Sequence, residues 1–108
     1  MDQRAQTTLQ YKLQLLFHIN TLLILRSTLL KQGNPQLEGL PAEQIDALLR
    51  HYVKRIHCNL QCISNINQGN YKARPAILEP PPLPPGIPQQ QDILPKLYIL
   101  LTKMLEVW

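Results

Sequence analysis

The chain has 108 residues, 44% of them hydrophobic but only 6% aromatic, with one Phe and one Trp. That length allows one domain at most, and so few aromatic side chains cannot fill a thick interior. The 11 Lys and Arg against 7 acids give a net charge of +4, a mild basic bias that suits acidic partners but is no nucleic-acid signature.

The opening Met1-Asp2-Gln3-Arg4 lacks the charged-then-apolar plan of a signal peptide. The first predicted helix runs from Thr7 to Lys31 and stops at the breaker cluster Gly33-Asn34-Pro35. Its Leu-rich run over 13–30 approaches a membrane span in length, yet it contains Gln14, His18, Asn20 and Arg26. An Arg at the bilayer centre costs about 2.5–3.5 kcal/mol, so a transmembrane helix is rejected. Leu9, Leu13, Leu15, Leu16, Ile19, Leu22, Leu23, Ile24, Leu25, Leu29 and Leu30 cover most of the helix circumference. Only a narrow strip through Gln10, Gln14, Thr21 and Thr28 stays polar. A helix apolar almost all round is a surrounded helix, and one amphipathic neighbour cannot surround it. The alternative, a central core helix of a larger domain, lacks the other elements such a domain needs.

The second predicted helix begins at Pro41, with Glu43 in its favourable N-terminal zone, and ends near Gly69. Ile45, Leu48, Leu49, Tyr52, Val53, Ile56, Leu60 and Ile63 follow the i, i+3, i+4 rhythm. A short loop joins it to the first helix, which predicts an antiparallel hairpin. Two amides, Asn59 and Asn67, interrupt the apolar stripe. Asn59 lies in mid-stripe, and a buried amide costs about 1–3 kcal/mol unless a defined partner waits for it. Asn67 reads as a solvated helix-end residue. The opposite face carries Arg50, Lys54 and His57, with His51 and Arg55 on its flank, and reads as solvated surface.

Residues 71–91 hold Pro75, Pro80, Pro81, Pro82, Pro84, Pro85 and Pro88, which forbid a helix or a central strand. This is an extended, polyproline-like linker or strap. Its PxxP spacing would suit an SH3 or WW partner, but no flanking Arg is well placed. Asp92 then offers an N-cap for a last helix over 92–108, with Pro95 in its first turn. Leu94, Leu97, Leu101, Met104, Leu105 and Trp108 form one face, read as an anchor held away from the hairpin by the linker. The competing arrangement folds this helix back into a three-helix bundle.

No catalytic constellation is present. Ser27 and Ser64 lack an acid–His pairing, and the scattered glycines form no phosphate loop. Cys58 and Cys62, one helical turn apart, point their Cβ atoms poorly for a disulfide, so reduced thiols are expected. They supply at most half a zinc site, which His18 would have to complete from another helix. Neither enzyme activity, cofactor nor small-molecule substrate is expected.

The pattern His57-x-Asn59-Leu60-x-x-Ile63-x-x-Ile66 is similar to the second helix of the SSXT domain of SWI/SNF chromatin remodellers. Asn20-x-x-Leu23-Ile24 resembles that domain's first helix. The segments QYKLQLLFHIN (10–20), KRIHCNLQCISNINQG (54–69) and DILPKLYILLTKMLEVW (92–108) resemble the small fungal SWI/SNF subunits of this group. His18-Ile19 stands where animal members have an acidic pair, and their Gln/Pro/Gly/Tyr-rich tail is not in this sequence, so no autonomous coactivator role is carried over.

The resemblance implies a nuclear, non-catalytic subunit in transcription regulation. It would pack against a Snf2-type ATPase subunit and other scaffold subunits, meeting DNA or nucleosomes only through the complex and no membrane. The expected architecture is all-α: a hairpin domain over 1–70, a Pro-rich linker over 71–91 and an anchoring helix over 92–108, without an independent globular core. The expected ATPase contact is the outer face of the first helix (Leu15, Ile19, Leu22), with Asn20 and Asn59 setting register. Leu23, Tyr52, Ile56, Leu60, Ile63, Leu97, Leu101, Met104 and Trp108 complete the expected partner surface. Two competing readings are a small basic DNA-binding module and a self-associating helical bundle.

Overall fold

The computed structural model describes residues 3–32, 41–83 and 92–106. Their regular elements are three α-helices, α1 (Gln3–Lys31), α2 (Ala42–Asn67) and α3 (Leu94–Glu106), with no strand among the described residues. Residues 1–2, 33–40, 84–91 and 107–108 lie outside them.

Helix α1 begins at Gln3 rather than Thr7. Thr7 and Thr8 return their hydroxyls to the carbonyls of Gln3 and Arg4 at 2.9 and 3.0 Å, so they sit inside the first turns instead of capping them. Thr21, Ser27 and Thr28 do the same one turn back. These hydroxyls are thereby satisfied within the helix. Residues Gln6–Lys31 are long and apolar enough to cross a membrane by length and composition alone. Part of that apolar surface is buried against α2 and α3.

Helix α2 starts behind Pro41, whose φ of −60° and ψ of 144° set up the first turn, and whose carbonyl accepts the amides of Gln44 and Ile45. It ends in a Schellman turn: Gly69 donates to Ile66 and Asn70 donates to Asn65, with Gly69 at φ +104°. Any side chain at that φ would be strained.

Helices α1 and α2 lie side by side in opposite directions. Asn20 in the middle of α1 meets Ile56 and Asn59, while Lys12 near its start meets the turn after α2. The last helix, expected at a distance, instead packs on α1. Leu94, Tyr98, Leu101 and Leu105 of α3 share one buried cluster with Leu16, Ile19 and Leu23 of α1 and Tyr52, Ile63 and Ile66 of α2. The chain thus has a continuous core of its own, contrary to the expectation that it would have none. The reason is the apolar girth of α1, which takes α2 on one flank and α3 on the other. Asp92 locks the arrangement, accepting the amide of Leu94 at 3.1 Å and pairing with Arg26 at 2.7 Å.

The described part of the proline segment, residues 71–83, runs back along α2. Its carbonyls meet Lys12 at Tyr71 and Ala73, Arg55 at Glu79 and Pro80, and Tyr52 at Pro82. This path rotates the buried face of α2. Arg55, Asn59 and Cys62 are interior, whereas Val53 and Leu60 of the apolar stripe lie at the surface.

Asp92→Ala removes both the cap and the carboxylate facing a largely buried guanidinium. It is expected to lower the unfolding free energy by about 3 kcal/mol, read as a lower urea midpoint at unchanged slope; a loss below about 1 kcal/mol would contradict the lock.

Candidate interaction site

Two features stand out: a polar node inside the core and an apolar seam outside it. At the node, Asn59 donates its amide to the side-chain oxygen of Asn20 at 2.8 Å, and Asn20 donates to the Ile56 carbonyl at 3.5 Å. Asn59 is wholly buried and Asn20 nearly so. Across from them the Tyr98 hydroxyl is buried without a hydrogen-bond partner, as is Oδ1 of Asn59. Sliding one helix past the other would leave two amides unpaired in an apolar interior, at a cost of about 1–3 kcal/mol each. The pair therefore fixes register between α1 and α2 within the chain.

A second buried cluster surrounds Lys12, which is fully covered. Its ammonium donates to Tyr71 at 3.1 Å and to Ala73, whose oxygen also receives the Cys62 thiol at 3.4 Å. Burial lowers the Lys12 pKa; the nearby Cys62 opposes that shift and Arg74 adds to it. Both cysteines are free thiols. No group of three or more His, Cys, Asp or Glu residues suited to a metal occurs among the described residues.

Outside, α1 leaves much of its apolar girth uncovered. Tyr11, Leu25 and Leu29 are 59, 54 and 49% exposed, with Phe17 and Ile24 beyond the polar strip similarly open. Tyr11, Leu15, His18, Leu22, Leu25 and Leu29 follow a 4-3-4-3-4 spacing, the period of a coiled-coil seam. The stripe leaves a continuous exposed apolar surface along one side of α1.

Of the residues expected to meet a partner, Ile19, Asn20, Leu23, Tyr52, Asn59, Ile63 and Leu101 are buried inside the chain. Leu15, Leu22, Ile56, Leu97 and Met104 are half-buried, Leu60 is exposed, and Trp108 lies outside the described residues. Ile19 thus faces the core rather than the outer surface expected of it. Leu15 and Leu22 border the open seam, to which Tyr11, Leu25 and Leu29 are additions. Their heptad spacing was present in the sequence but hidden among leucines on every side.

A family profile described as "SNF11 SWI/SNF complex component" matches residues 6–108. "Transcription regulatory protein SNF11" of Saccharomyces cerevisiae is 43% identical over 110 residues, covering 92% of this chain and 63% of that protein. The chain thus spans slightly less than two thirds of that relative's length.

Burial raises the pKa of Tyr52 and Tyr98 above the ordinary 10.0, opposed at Tyr52 mainly by Arg26 and at Tyr98 by Asn59. It likewise raises Cys62 above 9.0, with Lys12 opposing. These groups keep their protons longer folded than unfolded, so stability is complete below the unfolded values and is lost as pH rises through the folded ones. Lys12 acts oppositely, adding stability between its lowered folded value and 10.5, but the three acids outnumber it. The urea midpoint is expected to fall above about pH 9. Tyr98→Phe removes the buried hydroxyl that faces Asn59, so it is expected to make the alkaline fall shallower. An unaltered pH profile would contradict this account.

Proposed function

This chain belongs to the SNF11 family of SWI/SNF complex components, and from that premise we propose that it is a non-catalytic nuclear adaptor of a SWI/SNF-type remodeller, acting in transcription regulation. Its α1–α2 hairpin docks on a helix from the N-terminal region of the Snf2-type ATPase subunit, next to scaffold subunits. The observation that carries this reading is the seam Tyr11–Leu29, six positions at heptad spacing on the side of α1 away from the core. Leu15 and Leu22, flanked by Leu25 and Leu29, are the knobs of that contact. Asn20 and Asn59 contribute indirectly, holding α1 in the register that presents them. The proline segment and α3 brace the far side of α1, and DNA is met only through the complex.

The basic face of α2 gives less support to a DNA-binding module. Arg55 is turned inward onto carbonyls and Arg74 donates to the Leu105 carbonyl at 2.9 Å, which leaves Arg50 and Lys54 as the exposed cations of that helix. Two such contacts give weak, salt-sensitive binding. Self-association through the seam is the other competitor, and it predicts a dimer in sedimentation of the isolated chain.

Leu25→Asp places a charge in the seam without touching the core. Co-purification with the Snf2-type ATPase is expected to drop about tenfold or more, with helicity unchanged by circular dichroism, while Lys54→Ala retains the wild-type level. Equal recovery of the two variants would remove the seam as the contact.

A further inference from the structure

The hairpin has a second open apolar surface, on the side of α1 and α2 turned away from α3. Asn20 fixes the line along which the two helices touch, since it meets both Ile56 and Asn59. On α1 the buried Leu16, Ile19 and Leu23 lie to one side of that line, and at about 100° per residue Phe17 and Ile24 fall to the other. On α2 the buried Arg55, Asn59 and Cys62 lie to one side of Ile56, while Val53 and Leu60 fall to the other. Tyr98 faces Asn59 and shares the core with Leu16, Ile19 and Leu23, so α3 occupies the first side of both helices.

The two exposed sets therefore line one groove. In an antiparallel pair a turn back along α1 matches a turn forward along α2, which brings Phe17 level with Leu60 and Ile24 level with Val53. All four are between 40 and 52% exposed. Half-buried Leu13 and Leu49 carry the groove past each end, to a length of roughly four helical turns. A groove of that length between two antiparallel helices fits the apolar stripe of a third.

Its rim is charged on one edge only. The α1 edge is neutral, formed by Gln10, Gln14, Thr21 and Thr28, all exposed. The α2 edge carries the exposed Arg50 and Lys54 against Asp46, and a depression of about 560 Å³ joins these three to Leu49 and Val53. Among the described residues no ion pair holds either cation. An apolar floor with one unpaired basic edge favours a helix whose apolar stripe is bordered by acids on the flank that meets α2. A second copy of this chain is a poor occupant, because two such grooves face to face oppose their cations.

We propose that this back groove of the hairpin, floored by Phe17, Ile24, Val53 and Leu60 and edged by Arg50 and Lys54, docks an acid-flanked amphipathic helix of another protein. The polar strip of α1 separates it from the Tyr11–Leu29 seam, so α1 takes two different neighbours and the groove stands apart from whatever covers the seam. It accounts for the apolar residues of α1 that neither the core nor the seam uses.

The test uses the full chain, tagged, in the assembly it forms in its own cells. The photo-cross-linker p-benzoylphenylalanine is placed at position 60 in one version and at position 25 in another, and the adducts formed on irradiation are sequenced by mass spectrometry. At position 60 the expected adduct lies on a segment of a different protein, with apolar residues at three- and four-residue spacing and more acids than bases. The adduct from position 25 is expected on another segment. Arg50→Glu combined with Lys54→Glu, at exposed positions, is expected to cut the position-60 adduct about tenfold and to leave the position-25 adduct at its wild-type yield. The proposal is overturned by a position-60 adduct on a second copy of the chain, on a basic segment or on the segment met from position 25. Absence of any protein adduct, or a yield indifferent to the charge reversal, overturns it equally. A position-25 adduct off the ATPase subunit, beside the expected adduct from position 60, contradicts the seam reading alone.

Discussion

An extended proline segment makes no hydrogen bonds within itself, so laying it against a protein interior requires donors from elsewhere. That requirement organises this molecule. The side chains that meet the carbonyls of residues 71–82 come from α1 and α2: Lys12, Tyr52, Arg55 and Cys62. It explains why a lysine and an arginine lie buried in a small chain. It also explains why α2 turns Arg55 and Asn59 inward while exposing Val53 and Leu60. Beyond it, Asp92 pairs with Arg26 and α3 packs on α1.

Much of this was legible in the residues and some was not. Helix ends followed from local chemistry: Gly69 closes α2 because only a glycine fits its φ, and Asp92 bonds the first amide of α3. Asn59 signalled a partner because an amide in an apolar stripe demands one, and Asn20 on α1 supplies it. The destination of α3 was not readable, since Leu94, Leu101 and Leu105 make the same apolar face whether they pack on α1 or on another protein. The burial of Lys12 and Arg55 was equally hidden, because charge alone says surface. The signal that could have revealed it was the proline run itself, whose carbonyls needed cations that only the helices could offer. On α1 the leucines on every side concealed which flank would be left open.

The consequence is a division of labour around α1. One side of its circumference is covered by the chain's own α2, α3 and the residues after α2. The other half, centred on the seam from Tyr11 to Leu29, is offered outward as a preformed surface. In the proposed adaptor, that outward half is the surface met by a neighbouring subunit.

The central claim is that side-chain donors on the proline carbonyls hold α3 to the first two helices. Native-state amide hydrogen exchange of the full chain, comparing wild type with Arg55→Leu, tests it most directly. The account predicts that amides of α3 from Tyr98 to Leu105 are protected in wild type, and that the variant loses that protection about tenfold or more while the middle of α1 keeps its own. Unprotected α3 amides in wild type, or equal α3 protection in both proteins, would contradict it.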